Sequence, residues 1–140
     1  MTEEDPLSIV QVRYARGEID TAEYEEFLSW FLKNISFQQV PSLKIASERY
    51  ANGEITIGQY KEIISHLLND IGNYQQSAPL RAIHIRYAEG DIDTAEFEEK
   101  VGVLMRDIPA YPYNPPLAVL FMRYAKGEID NLRYQEMLTH

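Results

Sequence analysis

Catalysis and metal binding need particular side chains at particular spacings. The candidates in this chain are carboxylates, three histidines and a recurring Arg-Tyr pair. The carboxylates gather just after glycines: Glu18 and Asp20 follow Gly17, and Asp91 and Asp93 follow Gly90. That grouping invites a calcium loop, which needs oxygen ligands at alternate positions, a central Gly and a closing Glu. Counted from Asp91, one oxygen position falls on Ala95, the Gly position on Glu96 and the closing position on Gly102. The match fails at all three places, and helix capping accounts for Asp20, Glu23, Asp93 and Glu96 without a metal. His66, His84 and His140 lack the spacing of a helical metal pair. His84, between Ile83 and Ile85, reads as a satisfied, partly buried side chain. No Gly-x-Ser-x-Gly elbow and no phosphate-binding Gly run is present. The absence of Cys excludes disulfides, thiolate metal sites and Cys nucleophiles. The expectation is a protein that is not an enzyme and takes no cofactor or metal.

The Arg-Tyr pair belongs to a longer phrase that occurs four times. It runs Arg13-Tyr14-Ala15-Arg16-Gly17-Glu18-Ile19-Asp20 and returns at Arg49-Tyr50 with Gly53, at Arg86-Tyr87 with Gly90, and at Arg123-Tyr124 with Gly127. A Leu precedes each Arg at constant distance, at Leu7, Leu43, Leu80 and Leu117, with a Pro just before it and Ser42 as one extra residue in the second copy. Pro suits the first turn of a helix, where its missing N–H is not needed. The Gly suits the left-handed residue that ends a helix, and the Ile two places on can seal the last turn. Asp20, Thr56, Asp93 and Asp130 then read as N-caps of a second helix. Glu23, Gln59 and Glu96 complete capping boxes, whereas Arg133 breaks the fourth.

Each copy is thus a helical hairpin too small for its own core. Four hairpins should bury their stripes against one another, giving an all-α fold of four tandem helix-turn-helix hairpins in one compact domain. The copies span residues 1–36, 37–73, 74–110 and 111–140, the last with a truncated second helix, and one cooperative globular unit is expected. The connectors are 34–40, 69–78 and 107–115. The Pro-rich run Ile108-Pro109-Ala110-Tyr111-Pro112-Tyr113-Asn114-Pro115-Pro116 should be extended in its middle. Phe37, Tyr74, Tyr111 and Tyr113 in these connectors should pack onto neighbouring hairpins.

Net charge is −9, from 13 Lys+Arg against 22 Asp+Glu. Residues 1–36 hold three basic against eight acidic side chains, residues 37–73 three against four, residues 74–110 four against seven, and residues 111–140 three against three. No copy is basic, so nucleic acid is a poor partner and a basic protein surface a better one. The acidic copies, one and three, share Asp-Thr-Ala-Glu and are expected to pair with the near-neutral copies, two and four. No apolar run approaches a membrane span, and the acidic start is unlike a secretory signal, so a cytoplasmic location is expected.

The pattern Leu-x5-Arg-Tyr-Ala-x-Gly-Glu-Ile followed by a capped Glu-Tyr/Phe helix resembles the SHOCT family, the short C-terminal domain of bacteria and archaea. Copy three carries it closely, in Gly90-Asp91-Ile92-Asp93-Thr94-Ala95-Glu96-Phe97-Glu98-Glu99-Lys100, and copy two keeps a Leu67-Leu68 tail. The resemblance implies four tandem copies of a module for oligomerisation or protein contacts, with no catalytic residues to transfer. The alternative class is a small nucleic-acid-associated regulator, which the charge disfavours. Candidate partner-binding residues are Trp30, which either widens the core or stands out as an aromatic anchor, Tyr111 and Tyr113, and Met137. An apolar edge around Tyr134, Met137 and Leu138 is expected where the fourth helix runs short.

Overall fold

The computed structural model describes residues 5–37, 40–74, 77–111 and 114–139. Every regular element among them is helical: α1 Pro6–Ala15, α2 Thr21–Lys33, a 3-10 turn Ile35–Phe37, α3 Pro41–Ala51, α4 Ile57–Asn69, α5 Ile71–Tyr74, α6 Ala78–Glu89, α7 Thr94–Ala110, α8 Pro115–Ala125 and α9 Asn131–Leu138. The all-α expectation holds. No helix among the described residues is long and apolar enough to cross a membrane.

The turns follow one recipe. Gly17, Gly53, Gly90 and Gly127 have φ of +79°, +78°, +87° and +78°, the left-handed region that costs a residue with a Cβ. At each turn the Gly N–H returns to the Tyr carbonyl, and the next N–H reaches back to the Arg carbonyl, as in Glu18 N to Arg13 O at 2.9 Å. These paired bonds satisfy carbonyls left open at the helix end. Ile19, Ile55 and Ile92 fold back and are buried. The next helix starts on a cap: Asp20, Asp93 and Asp130 each accept from the backbone N–H three residues on, at 2.8 Å.

The capping boxes are fewer than expected. Only Gln59 closes a full one, accepting from Thr56 N at 2.9 Å while Thr56 Oγ1 accepts from Gln59 N at 3.1 Å. Glu23 turns away to accept from the Tyr50 hydroxyl, and Glu96 turns toward Lys100. A charged acceptor gains more from a part-buried phenol or ammonium than from an exposed N–H.

The chain forms two compact units, Met1–Leu68 and Asn69–His140. In the first, α1 packs against α3, and in the second α6 against α8, so the first helices of copies one and two meet, as do those of copies three and four. The core of the first unit is an aromatic cluster. Phe27 lies 5.0 Å from Tyr50 and 5.5 Å from Tyr60, and Val10 of α1, Leu43 of α3 and Ile64 of α4 are fully buried in the same unit. In the second unit Tyr124 and Tyr134 stack at 4.2 Å, and Tyr87 and Phe97 at 4.4 Å.

The last connector departs from expectation. Helix α7 continues through Ile108 and Pro109 to Ala110 before the backbone turns extended at Tyr111. Pro109 forfeits one bond, to the carbonyl of the partly exposed Met105, where water can replace it. Buried Leu104 and Asp107 hold the turn in register.

Candidate interaction surface

The four arginines of the repeated phrase lie in the last turn of α1, α3, α6 and α8, where a cation complements the helix dipole. Three pair with the carboxylate of their own turn: Arg13 with Glu18 at 3.3 Å, Arg49 with Glu54 at 3.6 Å and Arg123 with Glu128 at 3.4 Å. In copy three the turn carries Asp91, one methylene shorter, and no ion pair joins it to Arg86 among the described residues. Two of the arginines also cross to the adjacent copy. Arg13 Nη1 donates to Tyr50 O at 3.1 Å and Ala51 O at 3.4 Å, and Arg86 Nη1 donates to Ala125 O at 3.0 Å. Each guanidinium therefore adds a donor at the C-terminal end of its neighbour's first helix: to Ala125 O for Arg86, and for Arg13 to Ala51 O and to Tyr50 O, which also accepts from Gly53 N.

The tyrosines divide by copy. Tyr14 and Tyr87 bond their own hairpin, through Thr21 Oγ1 at 2.9 Å and Thr94 Oγ1 at 2.8 Å. Tyr50 reaches across and donates to Glu23 Oε2 at 2.6 Å. Its counterpart Tyr124 has a buried hydroxyl with no hydrogen-bond partner among the described residues. The cause is one residue: Lys100 stands where copy one has Phe27. Its Nζ sits 4.0 Å from the Tyr124 ring centroid and 4.0 Å from Glu96. A buried cation over the ring replaces an aromatic stack, and it engages the carboxylate equivalent to Glu23. Burial lowers the Lys100 ammonium from its ordinary range and pushes the Tyr124 phenol up to about 12. Burial, aided by a carboxylate acceptor, raises Tyr50 and Tyr134 as well.

The sequence-predicted contact residues are scattered. Trp30 is half-buried on α2, with Lys33 Nζ 5.9 Å from its ring. Tyr111 is 36% exposed at the end of α7. Met137 is half-buried on α9. Tyr113 lies outside the described residues, as do the side chains of Phe37 and Tyr74. Of the edge expected around Tyr134, Met137 and Leu138, Tyr134 is withdrawn: its ring is fully buried on Tyr124 and its hydroxyl donates to Asp107 Oδ2 at 2.8 Å, while Met137 and Leu138 are half-buried. Leu132 is exposed on α9 instead, at 71%. Tyr14 stacks on Tyr24 at 4.4 Å and stays 36% exposed, unlike its buried counterparts Tyr50, Tyr87 and Tyr124.

Several features escaped sequence reasoning. Leu32 and Met105 occupy the same position on α2 and α7, and both are exposed. His84 is fully buried with its ring edge on Phe97, and its Nε2 lies 2.6 Å from Asp70 Oδ2, a partner from the connector that no local spacing marks. No group of three metal-ligating side chains is gathered among the described residues.

Residues 5–26 and 78–105 match the family model of the short C-terminal domain, SHOCT. No curated protein and no solved structure matches the chain. The matched segments cover α1 with the start of α2, and α6 with most of α7. The two matched segments thus lie in copies one and three. They contribute Arg13 and Arg86, the two side chains that cap the helices of copies two and four.

Proposed function

We propose that all four hairpins are copies of the short C-terminal domain unit, and that the chain is a non-enzymatic module for protein–protein interaction or self-assembly. The observation that carries this reading is the way one hairpin grips the next: first helix on first helix, with a guanidinium from one copy on the terminal carbonyls of the other. A unit that recognises its own kind within a chain presents the chemistry to do so between chains. The exposed, equivalently placed Leu32 and Met105 add apolar surface at a recurring position. The acidic balance favours a partner with a basic face.

The test is light-scattering mass across a dilution series, alone and with a protein carrying a single copy of the unit. The reading expects concentration-dependent mass above 16.2 kDa in at least one of the two. Substituting Trp30→Glu or Met137→Glu should weaken that association while leaving helical circular dichroism unchanged. A monomer at every concentration, indifferent to the single-unit protein, refutes the reading.

A further inference from the structure

The second unit is hollow between the N-terminal ends of α6 and α8. The groove has a volume of about 400 Å³, at the lower end of the range of small-ligand pockets. Ala78 and Pro79 of α6 face Ala118, Phe121 and Met122 of α8 across it, and Ser77, Asn114 and Tyr111 supply its polar atoms. None of the residues lining it carries a charge.

The internal repeat acts as a control. With Leu7 aligned on Leu80 and Leu43 on Leu117, the first unit places Asp5, Lys44 and Glu48 where the second has Ala78, Ala118 and Met122. It places Ser47 where the second has Phe121. The first unit pairs its helices in the same way with those polar residues in place, so packing does not require the apolar set. The apolar lining is therefore a property of the second unit's sequence, not of the repeat.

Its polar groups define the ligand further. An anion at a helix start needs free N–H groups. Here α8 opens on Pro115 and Pro116, which have none, and the Leu117 N–H is given to Asn114 Oδ1 at 2.9 Å. On α6, Pro79 has none and the Leu80 N–H is given to Ser77 Oγ at 3.2 Å, which leaves the single N–H of Ala78 in the first turn, short of the several that cradle an anion. With both side-chain oxygens occupied as acceptors, the Asn114 amide and the Ser77 hydroxyl present donors. Neutral donors beside an uncharged apolar wall favour a neutral acceptor over a carboxylate, which would lose its hydration without gaining a cation.

We propose that the groove between α6 and α8 binds a small uncharged amphiphile, an apolar chain or ring ending in one neutral acceptor such as a hydroxyl or carbonyl. The groove lies on the α6–α8 seam but does not involve the Arg86 cap, so it can hold or fail independently of the assembly reading.

The test titrates the full chain with the neutral fluorophore N-phenylnaphthylamine, then displaces it with decanol or with decanoate at about pH 8, where the acid is ionised. The expected result is saturable binding of a single probe per chain, with decanol displacing it about tenfold or more effectively than decanoate. Ala118→Lys combined with Met122→Glu installs the residues of the first unit and should weaken probe binding by about tenfold or more. Circular dichroism checks that this variant stays helical. No saturable binding overturns the proposal, as does equal displacement by decanoate or undiminished binding by the folded double variant. Should the variant fail to fold, the two competitors on the unaltered chain decide the matter.

Discussion

Substituting Ala at Gly127 separates two effects that the repeat turns otherwise share. All four glycines sit near φ +80°, so Ala at any of them carries the left-handed penalty, about 1 kcal/mol. The surroundings differ. A Cβ at Gly17 would meet nothing within 4 Å, and one at Gly53 would lie 3.9 Å from Arg13 Nη2, an ordinary contact. At Gly127 it would lie 2.8 Å from Arg86 Nη2 and 3.0 Å from its Cζ, so the guanidinium must move. Moving it breaks the bond to Ala125 O, a charge-assisted hydrogen bond on a half-buried side chain, for roughly 1 kcal/mol after allowance for solvent. Gly127→Ala should therefore destabilise by about 2 kcal/mol, and Gly17→Ala and Gly53→Ala by about 1 kcal/mol each. Urea denaturation followed by circular dichroism measures the three. Arg86→Met should erase the difference, because Ala at Gly127 then displaces no bonded group. Equal losses for Gly127→Ala and Gly17→Ala in the unaltered background would refute the cross-copy cap as a source of stability.

Three further outcomes follow from the second unit. Lys100→Phe restores the residue type of copy one and removes a buried cation; stability should hold or rise by up to about 2 kcal/mol, and a comparable fall in the urea midpoint would count against a burial cost at this site. Asp70→Ala strips the partner from fully buried His84 and should cost about 2 kcal/mol, read as earlier unfolding of the His84 environment by NMR; an unshifted midpoint would deny the pair a structural role. The buried phenols make stability alkali-sensitive. Tyr124 titrates at about 12 in the fold against about 10 in an unfolded chain, so the native state holds extra protons between those values. Stability is full below about pH 10 and falls as pH rises toward 12 and beyond, with Tyr50 and Tyr134 acting in the same direction. Urea midpoints that stay flat from about pH 8 to about pH 12 would exclude this linkage.

The local syntax of the chain was legible because it is written in backbone terms. A Gly at +80° has few substitutes, an Asp before a helix has a definite acceptor geometry, and a Pro-Leu start has no other use nearby. Hence the helix starts, the turns and the all-α architecture could be read one copy at a time. The capping boxes were misjudged because Glu23 and Glu96 had a choice of partner, and the better one, Tyr50 or Lys100, arrived from elsewhere in the chain. The end of α7 was misjudged because Pro109 was weighed by propensity alone, while the burial of Leu104 and Asp107 holds the helix beyond its expected stop.

Sequence alone therefore determined a repeated hairpin, its stops and its caps, since these depend on residues within a few positions of one another. Tertiary structure decided what the repeats do to each other. Arg13 and Arg86 stand before the same Tyr-Ala-x-Gly as Arg49 and Arg123, yet the fold sets their guanidinium groups on the carbonyls of the adjacent copy. Nothing in local spacing marks Phe121 and Met122 as lining a groove with Ala78 and Pro79; the packing of α6 beside α8 places them there. Tyr134 looked like an exposed edge until Tyr124 and Asp107, both distant from it in local sequence terms, closed over it. Spacing within one helix records which face a side chain occupies; only the packing of a second helix determines whether that face is covered, paired or open.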